Sequence, residues 1–136
     1  MADFKDIQGA LIDHWVDSAL GISTAYENSK FSPVEGTPWA RLTILPSQPE
    51  IMTLGPSGED EHLGILQIDL YYPTDEGNSP VLTMADSIRT AYKAGTSLSY
   101  NGQSVVILNC GRSGGELENG YFKIMLNVAY RARTTR

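Results

Sequence analysis

An almost unbroken two-residue alternation runs along the chain from Gly120 to Arg131. Its apolar members are Phe122, Ile124, Leu126, Val128 and Tyr130, and its polar members are Lys123, Asn127 and Arg131. Successive side chains of a strand point to opposite faces of a sheet. The pattern therefore predicts a strand with one face in a core and the other outside it, which commits the chain to a fold built on a sheet.

Other segments predict the partner strands. Trp39 to Leu45 is rich in apolar and β-branched residues and is closed by Pro46, and Ile51 to Leu54 is a candidate for a short continuation. From His62 to Tyr72, apolar side chains again alternate with polar ones, and Pro73 follows. Between these two strands, Gly55 to Glu61 has the composition of a turn.

The dipeptide Asn101-Gly102 is a strong signal for a tight hairpin. It predicts that the segments Ser97–Tyr100 and Ser104–Asn109 pair with each other. Cys110 to Asn119, which follows, is rich in glycine and is interpreted as a loop.

Two segments have helical periodicity. Asp3 to Leu20 has an apolar stripe with Asp3 as a natural N-cap, and Gly21 ends it. A second helix has Ser79 as its N-cap and Pro80 at its first position, and it ends before Gly95. The stripes predicted to be buried are Phe4, Ile7, Leu11 and Trp15 in the first helix and Val81, Ala85, Ile88 and Tyr92 in the second.

The resulting order is α-β-β-α-β-β. We expect an α+β fold, a single domain in which a mostly antiparallel (mixed) sheet is flanked by two main helices. The length of 136 residues suits one compact domain, and no repeat is visible.

Composition excludes several classes of protein. No apolar run is long enough for a membrane helix, the single cysteine excludes a disulfide scaffold, and the first residues lack the pattern of a signal peptide. The net charge of -6 argues against a dedicated nucleic-acid binder. We expect a soluble acidic domain that assembles in the cytosol.

No set of residues in the sequence has the pattern of a catalytic or cofactor site. His14 and His62 lie in different elements, and Cys110 has no second cysteine, so a buried strand thiol is favoured. The acids Glu59, Asp60 and Glu61 beside His62 could gather a divalent cation, but a solvated turn is favoured because calcium-loop spacing is absent. The glycine-rich segment lacks the lysine of a phosphate-binding loop. We therefore expect no enzyme, no metal and no cofactor.

The charges are unevenly placed. Acids collect in the first helix and at residues 59–61, whereas Arg131, Arg133 and Arg136 lie in the last segment. Opposite charges on separate surfaces suit head-to-tail association of identical subunits, although ordinary solubilising charges are the simpler interpretation.

The sequence resembles the tail terminator-like proteins of long-tailed bacteriophages and prophages, over residues 10 to 133. The resemblance is one of turn residues and strand patterns, and it is weakest from Thr96 to Glu118. The segments that carry it are Tyr26-Glu27-Asn28, Phe31-Ser32-Pro33, Gly36-Thr37-Pro38-Trp39-Ala40-Arg41-Leu42-Thr43, Thr53-Leu54-Gly55, His62-Leu63-Gly64-Ile65-Leu66-Gln67-Ile68-Asp69, Pro73 to Gly77, Ala85-Asp86-Ser87-Ile88, Gly120-Tyr121-Phe122 and Val128 to Arg131.

This resemblance implies a structural virion protein and one tail-terminator-like domain over residues 1–136. Members of the family form a hexameric ring that caps the tail tube, ends its growth and provides the head–tail joining surface. The implied partners are further copies of the chain, the tail tube protein and a head-completion (connector) protein, with DNA only as passing cargo and no membrane. The implied location is the tail or neck of the virion, after assembly in the host cytoplasm. A neighbouring neck or tail-completion protein is the alternative, and a small ligand-binding domain or enzyme is a remote one.

Two sets of residues are candidates for assembly. We predict subunit contacts at Tyr26, Phe31, Pro33 and Trp39, in and beside an irregular segment, and at Arg131 and Arg133. The aromatic rings could instead cover the core of their own domain. For the wall of the ring that faces DNA we predict Glu59, Asp60 and Glu61, with Asp13 and Asp17 of the first helix as the alternative.

Overall fold

The computed structural model describes residues 3–136. It contains two helices and eight strands: α1 Asp3–Asp17, β1 Ser23–Ala25, β2 Trp39–Pro46, β3 Glu50–Ile51, β4 Glu59–Pro73, α2 Ser79–Ala91, β5 Ser97–Tyr100, β6 Gln103–Arg112, β7 Glu116–Glu118 and β8 Tyr121–Thr135. The α+β class with a mixed sheet is confirmed. Four strands precede α2 and four follow it, instead of the two and two that the sequence predicts.

All eight strands form one sheet in the order β1-β2-β4-β8-β6-β5, with β3 also on β4 and β7 also on β8. Only the β1–β2 pair is parallel. The centre of the sheet is the antiparallel pair β4–β8, which stays in register over fifteen residues from Glu59↔Thr135 to Pro73↔Tyr121.

The main core lies between the two helices and one face of the sheet, here called the inner face. The alternation predicted for β8 is confirmed, because Ile124, Leu126, Val128 and Tyr130 are all buried. The stripe of α2 is also confirmed. The hairpin at Asn101-Gly102 is confirmed too, and both residues have the positive φ angles of a type I′ turn.

Helix α1 joins the two edges of the sheet. It packs against β5 and β6 at one edge. Near its end, Trp15 Nε1 donates a 3.0 Å hydrogen bond to Thr24 Oγ1 of β1, at the other edge. The sheet therefore curls around the core, and its opposite surface, the outer face, is convex.

Several predictions about the elements are wrong. Helix α1 ends at Asp17, Asp3 lies inside it, and the N-cap of α2 is Asn78 rather than Ser79. Phe4 is 74% exposed whereas Asp6 is buried, because Asp6 faces the β5–β6 hairpin and accepts a bond from Asn101.

The loop predictions also need correction. Glu59, Asp60 and Glu61 belong to β4, because β8 is long enough to pair with them. Ile51 belongs to β3, which pairs with β4 and does not continue β2. Part of the predicted glycine-rich loop is strand: β6 extends to Arg112, and β7 pairs with the start of β8.

Candidate assembly surfaces

One end of the outer face carries a cluster of stacked aromatic rings. Trp39 and Tyr71 are cross-strand partners in the β2–β4 pair, and their rings are parallel within 8° with centroids 4.1 Å apart. Phe31 also stacks on Trp39, with centroids 5.3 Å apart, and Tyr121 meets both Trp39 and Tyr71 edge-on. Such contacts each contribute about 0.5–1.5 kcal/mol beyond area burial. The cluster therefore fixes the segment around Phe31 to the sheet of its own chain.

Charged groups surround these rings. The buried carboxylate of Asp69 forms an ion pair with Arg41 at 3.1 Å, and Arg41 also donates to the Tyr71 hydroxyl at 2.7 Å. Lys123, opposite Tyr71 on β8, lies 3.5 Å from Glu118 of β7. The Tyr71 hydroxyl first, and Lys123 after it, hold the pKa of the Glu118 carboxyl below its ordinary value. Burial raises the pKa of Tyr71, and Arg41 opposes the rise.

The loop of residues 26–38 lies over this cluster. Tyr26 packs against the main core, and Glu27 Oε1 accepts a 2.7 Å bond from the amide of Ile44. The tip of the loop is outside: Pro33 is exposed and Val34 is 70% exposed. Of the predicted contact residues, Phe31 and Trp39 thus pack within their own chain, and Pro33 is free to contact another molecule.

Trp39 has one unusual atom. Its Nε1 is buried and has no hydrogen-bond partner within residues 3–136. An unpaired buried donor costs about 1–3 kcal/mol, so most such groups in proteins are paired.

The other end of the outer face carries the predicted arginines and acids together. Glu61 and Arg133 are direct cross-strand partners on the outer face, and their charged groups lie 3.9 Å apart. Asp60 is paired with Arg136. Because Glu61 and Arg133 share one face, a wall that contains one contains the other. The separation between an acidic lumen and a basic interface, which the sequence predicts, is therefore lost at this position.

Arg136 also holds the turn between β3 and β4. Its guanidinium donates to the carbonyls of Gly55 and Glu59 at 2.8 and 3.2 Å, and it contacts the carbonyl of Thr53. Gly58 lies so close to Arg136 and Thr53 that a Cβ atom there would overlap both.

An apolar patch lies on the outer face between its two ends. Leu45 of β2, Ile65 of β4 and Ala129 of β8 are neighbours in register across three adjacent strands. Leu45 is 47% exposed and Ile65 is 37% exposed. We call these three residues the sheet patch. Arg131 follows Ala129 on the same face of β8, because residues two apart on a strand point the same way.

Helix α1 has a second apolar surface besides its buried stripe. Phe4, Ile12 and Val16 are spaced by multiples of four residues beside that stripe, and we call them the helix patch. The Phe4 ring lies at the rim of the sheet, where it meets the ring of His62 in β4 edge-on with centroids 6.0 Å apart. Phe4 and Val16 are 74% and 58% exposed, and Ile12 is partly buried. The exposed carboxylates of Asp13 and Asp17 lie beside it.

The two histidines have local partners, and the cysteine is buried. His14 Nε2 lies 2.6 Å from the Ala91 carbonyl, and His62 Nε2 lies 2.9 Å from Thr134 Oγ1. Cys110 is a buried thiol of β6, as predicted; burial raises its pKa, and Arg89 opposes the rise. In residues 3–136 no group of three or more His, Cys, Asp or Glu side chains is arranged to hold a metal ion. No helix in this part of the chain is long and apolar enough to cross a membrane.

A family model described as phage tail terminator protein matches residues 6–130. One solved structure, which carries no functional description, matches with a TM-score of 0.75 at 14% identity, over 93% of this chain and 92% of that chain. A chain from the virion of a native gene transfer agent particle matches with a TM-score of 0.58 at 15% identity, over 99% and 98% of the two chains. At these identities the two structures show a shared fold. None of the curated proteins is significantly similar.

Proposed function

Because this chain belongs to the phage tail terminator family, and so to the structural proteins of phage tails, we propose that it forms a ring that caps the tail tube. The ring contains six copies, ends the growth of the tube and provides the surface on which the head docks. The observation that carries the proposal is the family match over residues 6–130. The two uncovered apolar patches on different sides of the domain supply surfaces for association.

The first experiment measures the mass of the purified chain by size-exclusion chromatography with light scattering, alone and with short tubes of tail tube protein. We expect a species with six times the 14.9 kDa of the chain, and tubes that stop elongating when it is present. A chain that remains monomeric under both conditions, and leaves tube length unchanged, would contradict the proposal. A species that binds heads but not tubes would favour a neck protein.

The loop of residues 26–38 is our proposed contact with a neighbouring protein of the assembly, through its exposed tip at Pro33 and Val34. Val34→Asp changes an exposed side chain and keeps the Val34 carbonyl that accepts a 3.4 Å bond from the Tyr121 hydroxyl of the aromatic cluster. It should weaken assembly while leaving the melting temperature within experimental error. Phe31→Ala is the comparison, because it should lower the melting temperature. Assembly by Val34→Asp that equals wild type would contradict this contact.

The prediction that Glu59, Asp60 and Glu61 face DNA in the ring stays open. The pairing of two of these acids with Arg133 and Arg136 lowers the net negative charge that this strand end could present to phosphate. If this strand end lines the wall of the ring that faces DNA, a Glu59→Lys/Glu61→Lys variant should change the passage of DNA through the ring. If it lies elsewhere, the variant should leave that passage unchanged.

A further inference from the structure

The domain has two apolar patches whose side chains its own fold leaves exposed or only partly covered. The helix patch (Phe4, Ile12, Val16) lies on α1 beside the buried stripe of the helix, and its Phe4 ring meets His62 of β4 edge-on. The sheet patch (Leu45, Ile65, Ala129) lies on the outer face, which is the far side of the sheet from α1. Exposed apolar side chains that gather on one surface mark interaction sites.

The charges beside the two patches are opposite in net sign. Asp13, Asp17 and Lys5 are exposed beside the helix patch, where the two carboxylates outnumber the one lysine. Arg131 and Arg133 lie beside the sheet patch. Arg131 takes part in none of the ion pairs seen within residues 3–136, and Arg133 is 52% exposed despite its contact with Glu61.

We infer that the helix patch of one copy docks on the sheet patch of the next copy, with Asp13 and Asp17 facing Arg131 and Arg133. The inference rests on the proposed function, since it names the contact between neighbours in the ring. The occupant of each patch is a second copy of this chain, because the two patches of one chain complement each other in charge and are both apolar at their centres.

The same charges disfavour the symmetric alternatives. A two-fold contact between two sheet patches would bring arginines near arginines, and one between two helix patches would bring carboxylates near carboxylates. Like charges that meet across an interface cost several kcal/mol. A contact between different patches is heterologous, and repetition of such a contact gives a closed ring when the rotation permits.

Engineered cysteines test the contact directly, in a Cys110→Ala chain so that no other thiol is present. The double variant Val16→Cys/Ile65→Cys should give a disulfide-linked ladder on mild oxidation, which reaches the mass of the ring. Val16→Cys or Ile65→Cys alone should give no ladder. A mixture of the two single variants should give linked dimers and nothing larger.

The control pair is Val16→Cys/Leu117→Cys, because Leu117 is exposed on β7 and lies outside both patches. Linked dimers from Val16→Cys alone or from Ile65→Cys alone would show a symmetric contact and would overturn the inference. A ladder from the control pair comparable to that from the test pair would overturn it too.

A charge exchange provides the second measurement. Asp13→Lys/Asp17→Lys, and separately Arg131→Glu, should each raise the concentration at which rings form by about tenfold or more. The chain that carries all three substitutions should return towards the wild-type value. Absence of this rescue, in variants that fold normally, would contradict the contact.

The outcomes separate the inference from the proposed function. Rings of wild-type chain in which the test pair does not crosslink would overturn the helix-to-sheet contact and leave the proposed function standing. A wild-type chain that forms no ring, alone or on tubes, would contradict both.

Discussion

The side chain of Tyr130 packs directly on the backbone of Gly64, its cross-strand partner in the β4–β8 pair: a Cβ atom at Gly64 would lie 2.6 Å from Cζ of the ring. Tyr130 is 2% exposed, so its ring has little room to move. The closeness explains why a glycine stands in the middle of the longest strand pair, where it would otherwise weaken the strand.

Gly64→Ala should therefore lower the free energy of unfolding by about 1–3 kcal/mol, the usual cost of overpacking. The measurement is urea unfolding followed by circular dichroism. Gly111→Ala is the matched control, because Gly111 also lies in a strand and its Cβ would meet nothing within 4 Å. Equal stability of the two variants would show that the Tyr130 ring yields easily.

Arg136 should control the mobility of the turn between β3 and β4, because its guanidinium donates to the carbonyls of Gly55 and Glu59. Arg136→Ala should raise amide hydrogen exchange in residues 53–59 by about tenfold or more, since hydrogen bonds to a charged group contribute about 1.5–3 kcal/mol. Exchange in α2 should not change. Arg112→Ala is the control, because Arg112 is exposed and, within residues 3–136, its side chain donates only to the nearby Ser113 carbonyl. An unchanged turn in Arg136→Ala would contradict this role.

Much of the fold can be read from the sequence because local patterns and tertiary contacts agree there. The alternation of β8, the Asn101-Gly102 turn and the stripe of α2 each specify one local structure, and the sheet uses all three. Residues 59–61 show the opposite case. Three consecutive acids have low strand propensity, and only pairing with Arg133 and its neighbours on β8 makes them a strand.

The assembly surfaces were harder to predict, because exposure depends on which of two helix faces meets the sheet. Phe4 continues the spacing of Ile7 and Leu11, yet it lies outside the main core and exposes most of its ring. Spacing within one helix cannot show this, because burial also depends on residues far away in the chain. Asp6, for example, is buried where Asn101, ninety-five residues away, donates a hydrogen bond to its carboxylate. The stack of Trp39 on Tyr71 depends in the same way on strand register.

The Glu118 carboxyl should make stability depend on pH in the acid range. Its contact with the Tyr71 hydroxyl, and then with Lys123, lowers its pKa in the folded chain below the ordinary value of 4.5. The unfolded chain then binds more protons, so this contribution to stability is present above about pH 4.5 and is lost as the pH falls through the folded pKa. The free energy of unfolding, measured at pH 3, 4, 5 and 7, should differ between wild type and Glu118→Gln by an amount that shrinks towards acid pH.

Glu35→Gln, an equal change of charge in an exposed loop, serves as the control. A difference that is constant over this range would contradict the prediction.

Cys110 should report opening of the core. Cys110 is 4% exposed in β6, and burial raises the pKa of its thiol, with Arg89 acting in the opposite direction. An aromatic disulfide reagent attacks only an accessible thiolate, so the folded chain must open before it reacts. At pH 8, labelling of the native chain should be about a thousandfold or more slower than in the unfolded chain, as expected for a domain with the usual 5–15 kcal/mol of stability. Labelling should accelerate with urea in step with unfolding.

A Cys110→Ala/Leu117→Cys chain, whose thiol is on the surface, should react without urea at the rate of the unfolded chain. Rapid labelling of native Cys110 would mean that the edge of the sheet at β6 opens locally, without unfolding of the whole domain.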